Sequence, residues 1–155
     1  MIRTERGDIW AYEKSTFIVV PVNIGYRRDG ANPMGRGVAL EAARRYPDFP
    51  AWFGAKCLEL GAETPVLRCH GTPLLAFPTK PFNRENPAMS WKSRADLGLI
   101  ERSAKQLAQW PGNEPIALPL PGCGNGGLDM SEVRPILDKH LSDGRFVLVL
   151  WENDR

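Results

Sequence analysis

Ile116-Ala117-Leu118-Pro119-Leu120 runs directly into Pro121-Gly122-Cys123-Gly124-Asn125-Gly126-Gly127-Leu128. The first piece is a short apolar run that reads as a buried strand. The second is rich in glycine, and the stretch from Ser131 to Leu141 that follows has helical spacing, with Pro135 early in it. A strand, a glycine loop and a helix in that order form an anion-binding arrangement. Without a Cβ in the way, backbone N–H groups turn toward an anion, and a helix N-terminus adds partial positive charge.

The same arrangement recurs upstream. Phe17 to Val22 (FIVVPV) is a β-branched strand candidate, followed by Asn23 and the stretch IGYRRDGANP. Met34-Gly35-Arg36-Gly37-Val38-Ala39 then opens a helix over Gly37 to Tyr46, ended by Pro47. A second helix is expected over Ala51 to Leu60, stopped by Gly61. Val66 to Cys69 and Leu74 to Phe77 are short strands joined by a turn at Gly71-Thr72-Pro73, and Pro78-Thr79-Lys80 follows. The longest amphipathic segment is Arg94 to Trp110, with Ser93 as the expected N-cap and Pro111-Gly112 as the stop. Phe146 to Trp151 (FVLVLW) is a last strand. Strands alternating with helices predict an α/β fold, its central sheet covered on both faces. In such folds ligands bind beyond the carboxyl ends of strands, here after Val22, Phe77 and Leu120.

With 155 residues, 43% of them hydrophobic and 25% charged, the chain suits one globular domain over residues 1–155. A net charge of +2 is too small to predict nucleic-acid binding by electrostatics alone. Arg27-Arg28 and Arg44-Arg45 read first as solvated surface. Cys57, Cys69 and Cys123 are odd in number and lack a CxxC pair, which argues against a disulfide framework or a zinc site. His70 and His140 are the only histidines, and nothing in the spacing locates a catalytic triad or a metal cluster. No cofactor is expected. The charged start MIRTERGDIW has no apolar h-region, and no run approaches membrane-spanning length, so a cytoplasmic protein is expected. The polar helices predict a monomer. Neither glycine loop matches a P-loop, and the first lies too far after its strand for a dinucleotide fingerprint.

Four motifs in order make the sequence recognisable. Gly7-Asp8-Ile9, Val22-Asn23, Met34-Gly35-Arg36-Gly37-Val38-Ala39 and Pro121 to Leu128 resemble the successive ligand motifs of macrodomains, which bind ADP-ribose. The resemblance spans nearly the whole chain. It implies a three-layer α/β/α fold with a central mixed sheet of about six strands. Phe77-Pro78-Thr79-Lys80 narrows the likeness to the DarG-type branch, antitoxins that remove ADP-ribose from nucleic-acid bases.

The resemblance also implies roles. Asp8, beside Ile9, would accept a hydrogen bond from the adenine amino group; on residue grounds alone it is a cap or turn residue. Asn23 would orient the distal ribose, where a strand-end Asn is otherwise a turn former. Gly35 and Gly37, after Met34, would line the diphosphate with backbone N–H groups, as Gly124, Gly126 and Gly127 would from the other side, and Val38 and Leu128 would pack near the ligand. Pro121, Gly122, Cys123, Gly124, Asn125, Gly126, Gly127 and Leu128 would form the diphosphate loop. Lys80 would be catalytic with Asn23, either as an amine nucleophile or as an ammonium stabilising charge, against the ordinary reading of a surface lysine.

Two segments depart from the branch pattern: the expanded stretch between Asn23 and Met34, and Pro81 to Met89 before Ser90-Trp91. They offer Tyr26, Arg27, Arg28 and Trp91 as substrate contacts, with Trp91 read rather as a loop anchor. Relatives acting on ADP-ribosyl glutamate carry an Asp in the second loop, where this chain has Gly126. The expected activity is an ADP-ribosyl glycohydrolase acting on an ADP-ribosylated macromolecule, DNA among the candidates. A non-catalytic ADP-ribose reader and an ADP-ribose 1″-phosphate phosphatase are the alternatives. A toxin partner is raised by the branch without being identified.

Overall fold

A computed structural model describes residues 1–151. The strands are β1 (Arg3–Arg6), β2 (Phe17–Asn23), β3 (Leu67–Arg68), β4 (Leu74–Lys80), β5 (Ile116–Leu118) and β6 (Phe146–Leu150). The helices are α1 (Gly37–Arg45), α2 (Phe49–Leu60), α3 (Leu97–Ala108) and α4 (Met130–His140). The sheet order is β1-β6-β5-β2-β4-β3. Every neighbouring pair is parallel except β3 with β4, so the sheet is mixed.

The strand side chains alternate between two cores, as period-2 geometry requires. Val19, Leu75, Phe77, Leu118 and Leu148 pack with Ile100, Ala104 and Leu107 of α3 and Val133 and Leu137 of α4. Ile18, Val20, Ala76, Ala117 and Val147 pack with Ala42 of α1 and Phe49, Phe53 and Cys57 of α2. One helix pair therefore covers each face, which is the three-layer α/β/α arrangement. The strands are buried on both faces, and this accounts for their continuous apolar runs.

Pro21 lies inside the central strand β2 without breaking it. Phe17 N–H donates to Pro115 on the β5 side and Ile18 N–H to Pro73 on the β4 side. Alternation puts the Pro21 nitrogen on the β5 side, past the end of β5 at Leu118, so no ladder bond is lost.

Several boundaries differ from the sequence reading. The third helix starts at Leu97, and Asp96, not Ser93, is its cap, accepting from Leu99 N–H at 2.9 Å. Ala95 N–H is drawn to the Gly126 carbonyl and Asp96 N–H to the Thr79 carbonyl, both at 2.9 Å, which holds this segment extended. The strand expected to reach Leu120 ends at Leu118, before Pro119. The strand expected to stop at Phe77 continues to Lys80. β1 completes the expected six strands without an apolar run, because RTER is a mostly exposed polar edge. Among the described residues no helix is long and apolar enough to cross a membrane.

Candidate functional site

The carboxyl ends of β1, β2, β4, β5 and β6 open into one cleft of about 790 Å³, lined by residues following each of them. That volume lies within the range of small-molecule sites. Asp8, Ile9, Asn23, Met34, Gly35, Gly37, Val38, Lys80, Gly122, Cys123, Gly124, Asn125 and Gly126 all line it. Pro121, Gly127 and Leu128 do not. Pro121 and Leu128 are buried behind the loop, and the Gly127 carbonyl accepts from Arg94 at 3.1 Å.

The first wall is the start of α1. Arg36 is its N-cap, in extended backbone, and makes no side-chain capping bond. The N–H groups of the first turn therefore keep their capacity for an anion, and the helix dipole adds to it. The second wall is the turn Gly124–Gly126. The sequence reading also expected the following helix to offer its N-terminus. It does not, because none of Asp129, Met130, Ser131 and Glu132 lines the cleft, and Glu132 reaches back to accept Asp129 N–H at 2.9 Å in a capping box of the helix's own. The second loop has only its own backbone to offer.

Asp8 caps the short turn Ile9–Tyr12, accepting Trp10 N–H at 3.0 Å through Oδ1. Its second oxygen has no hydrogen-bond partner among the described residues. The cap reading and the ligand reading thus use different atoms of one carboxylate.

Asn23 and Lys80 meet through a register shift. Val22 pairs with Pro78, but Asn23 pairs with Lys80, so Thr79 is an extra residue on β4. Buried Thr79 seals the bulge by donating to the Val22 carbonyl at 3.2 Å. Bulges re-aim side chains and are frequent beside active sites. Here the bulge makes Lys80 the partner of Asn23. Lys80 Nζ donates to the Trp91 carbonyl at 2.7 Å. Partial burial, and then the nearby Arg36 guanidinium, hold the lysine below its ordinary value.

Of the four contacts proposed from the variable segments, Arg27 and Trp91 line the cleft, whereas Tyr26 and Arg28 do not. Tyr26 stacks on Phe82 instead, with centroids 6.2 Å apart. Trp91 sits in the short helical turn Pro87–Lys92 and is 40% exposed, so its carbonyl, not its ring, does the anchoring. Sequence reasoning missed Arg36 and Asn32 as cleft residues. Arg36 lay in plain view as the variable position of the glycine motif, and Asn32 gave no signal. His140 pairs with Glu101 at 3.2 Å, and neither residue lines the cleft. Among the described residues no group of three metal-ligating side chains is gathered.

Comparison with solved structures shows that the chain has the macrodomain fold. More particularly, it is similar to DarG macrodomains. With the macrodomain of Mycobacterium tuberculosis DarG it shares 25% identity over 97% of each chain, at a TM-score of 0.73. With the Thermus aquaticus DarG macrodomain it shares 26% over 98% of each, at 0.71. Thermosipho africanus DarTG, solved in complex with ADP-ribose, matches at 22% and 0.73. There 99% of this chain covers 42% of the other. No family model matches the sequence, and comparison with curated proteins gives no match.

Proposed function

We propose that the cleft binds ADP-ribose and that the protein hydrolyses the bond between the distal ribose and an acceptor, either a nucleic-acid base or another group. The observation that carries this reading is the bulge that pairs Asn23 with Lys80 at a cleft walled by two glycine loops. The diphosphate lies between the uncapped start of α1 and the Gly124–Gly126 turn, met by backbone N–H groups on both sides. Asp8 takes the adenine amino group on its open oxygen. The distal ribose then falls between Asn23 and Lys80.

Breaking the glycosidic bond leaves an oxocarbenium-like centre at C1″, with the bonding pair departing on the acceptor. In the nucleophilic route Lys80, having given up a proton, captures C1″ through its amine as the bond to the acceptor breaks; the acceptor leaves with the bonding pair and takes up a proton, and water then hydrolyses the lysyl adduct to free ADP-ribose. Were Lys80 to act as an ammonium, it would instead protonate or stabilise the departing group, and no adduct would form. We further propose that the protein works in the cytoplasm as a monomer, beside a toxin partner.

The test is free ADP-ribose released from ADP-ribosylated DNA and from ADP-ribosylated protein, by the natural chain and by Lys80→Ala. Release that Lys80→Ala lowers at least a hundredfold, with ADP-ribose affinity retained by calorimetry, is the expected outcome; general acid–base or nucleophilic groups contribute about that much or more. Tight binding in both proteins with no release from either substrate overturns the enzyme and leaves a reader.

A further inference from the structure

The inserted stretch between Asn23 and Met34 is a built wall of the cleft. At its base lies Asn32, 1% exposed. Its Nδ2 faces three acceptors: the Asn23 carbonyl at 2.9 Å, Asn23 Oδ1 at 3.2 Å and the Gly25 carbonyl at 2.8 Å. Two N–H bonds shared among three acceptors fix which way the amide points, since the flipped amide would set an oxygen against all three. The cost of this orientation is visible, because Asn32 Oδ1 is buried with no partner.

The backbone is held just as firmly. Asn32 N–H donates to the Pro50 carbonyl at 2.9 Å. Gly54 of α2 forms a notch for the loop. A Cβ there would collide with the Gly30 carbonyl and lie 2.6 Å from Asn32 N.

We infer that Asn32 is a positioning residue that fixes the Asn23 amide, and that it leaves Asn23 to meet the ligand as a hydrogen-bond donor. Asn23 Oδ1 accepts from Asn32, and Asn23 Nδ2 donates to the Pro33 carbonyl at 2.8 Å. One Asn23 N–H is left over and meets an acceptor oxygen of the ligand, while Oδ1 keeps a second lone pair for a ligand hydroxyl. The inference rests on the ADP-ribose reading for the identity of the ligand, but not for the Asn32–Asn23 contact.

The test joins side-chain amide NMR of the full chain with ADP-ribose calorimetry. In the natural chain the Asn32 Nδ2 protons exchange slowly and show contacts to Asn23; fast exchange overturns the inference even if no variant folds. Asn32→Asp, which sets a carboxylate against the three acceptors, and Asn32→Ala are each expected to shift the Asn23 amide signals and weaken ADP-ribose binding about tenfold. Asn23→Ala/Asn32→Ala is expected to bind no more weakly than Asn23→Ala, because Asn32 acts through Asn23. Additive losses, or unmoved Asn23 signals, overturn it. Absence of ADP-ribose binding by the natural chain defeats the functional reading instead, and the NMR arm still decides the Asn32 contact.

Discussion

The two glycine loops look alike in sequence and do different things in the fold. The first ends in a helix whose N-terminus is uncapped and borders the cleft. Its Gly35 has open space around it, with nothing within 4 Å of a would-be Cβ. The second precedes a helix that closes its own N-terminus with Asp129 and Glu132. Its Gly122, at φ +78, is wedged against Ile100, Leu128 and Ala95. The first loop thus keeps glycine for what approaches it. At Gly122 the second keeps it because the core leaves no room. Both loops wall the cleft, and Gly124 has the same open space as Gly35; what separates them is the following helix end, which the first loop presents open and the second does not.

The strongest way to break this contrast is at the glycines themselves. Gly122→Ala sets a Cβ 2.6 Å from Ile100 Cδ1 in left-handed backbone. It is expected to cost about 2–4 kcal/mol in urea unfolding. Gly35→Ala is expected to stay within about 0.5 kcal/mol, and its effect falls on ligand affinity. Equal stability losses at the two positions would remove the distinction.

A smaller effect tests the capped helix. Asp129→Ala is expected to lower stability by about 1 kcal/mol and to leave ADP-ribose affinity unchanged in calorimetry. A drop in affinity would mean that the start of α4 serves the cleft after all.

The smallest effect concerns Lys80. Its folded value is depressed by burial and by Arg36, so the unfolded chain binds more protons in the window between that value and the ordinary lysine value. Stability therefore rises with pH through this window. Urea midpoints measured across it are expected to climb less in Lys80→Met than in the natural chain. Equal slopes would show that the lysine is not perturbed.

The architecture was legible because buried parallel strands write themselves as apolar runs, such as FIVVPV and FVLVL, and because the glycine motifs stand in fixed order. The start of α3 was not. Ser93 is a good cap by type, but the N–H groups of Ala95 and Asp96 go to Gly126 and Thr79, partners 31 and 17 positions away. Lys80 was legible as a residue following a strand, yet the Thr79 bulge that pairs it with Asn23 depends on register, which has no local signature. Asn32 was invisible for a related reason. A loop asparagine looks solvated until the notch at Gly54 and the acceptors on Asn23 and Gly25 are brought around it.

The most direct test is to titrate ADP-ribose into the ¹⁵N-labelled protein and follow the backbone amides of the two loops separately. The account predicts saturable shifts for Gly37, Val38 and Ala39 at the start of α1 and for Gly124, Asn125 and Gly126, with Ser131 and Glu132 at the capped start of α4 unmoved. Shifts centred on Ser131 and Glu132, or no saturable shift in either loop, would contradict it.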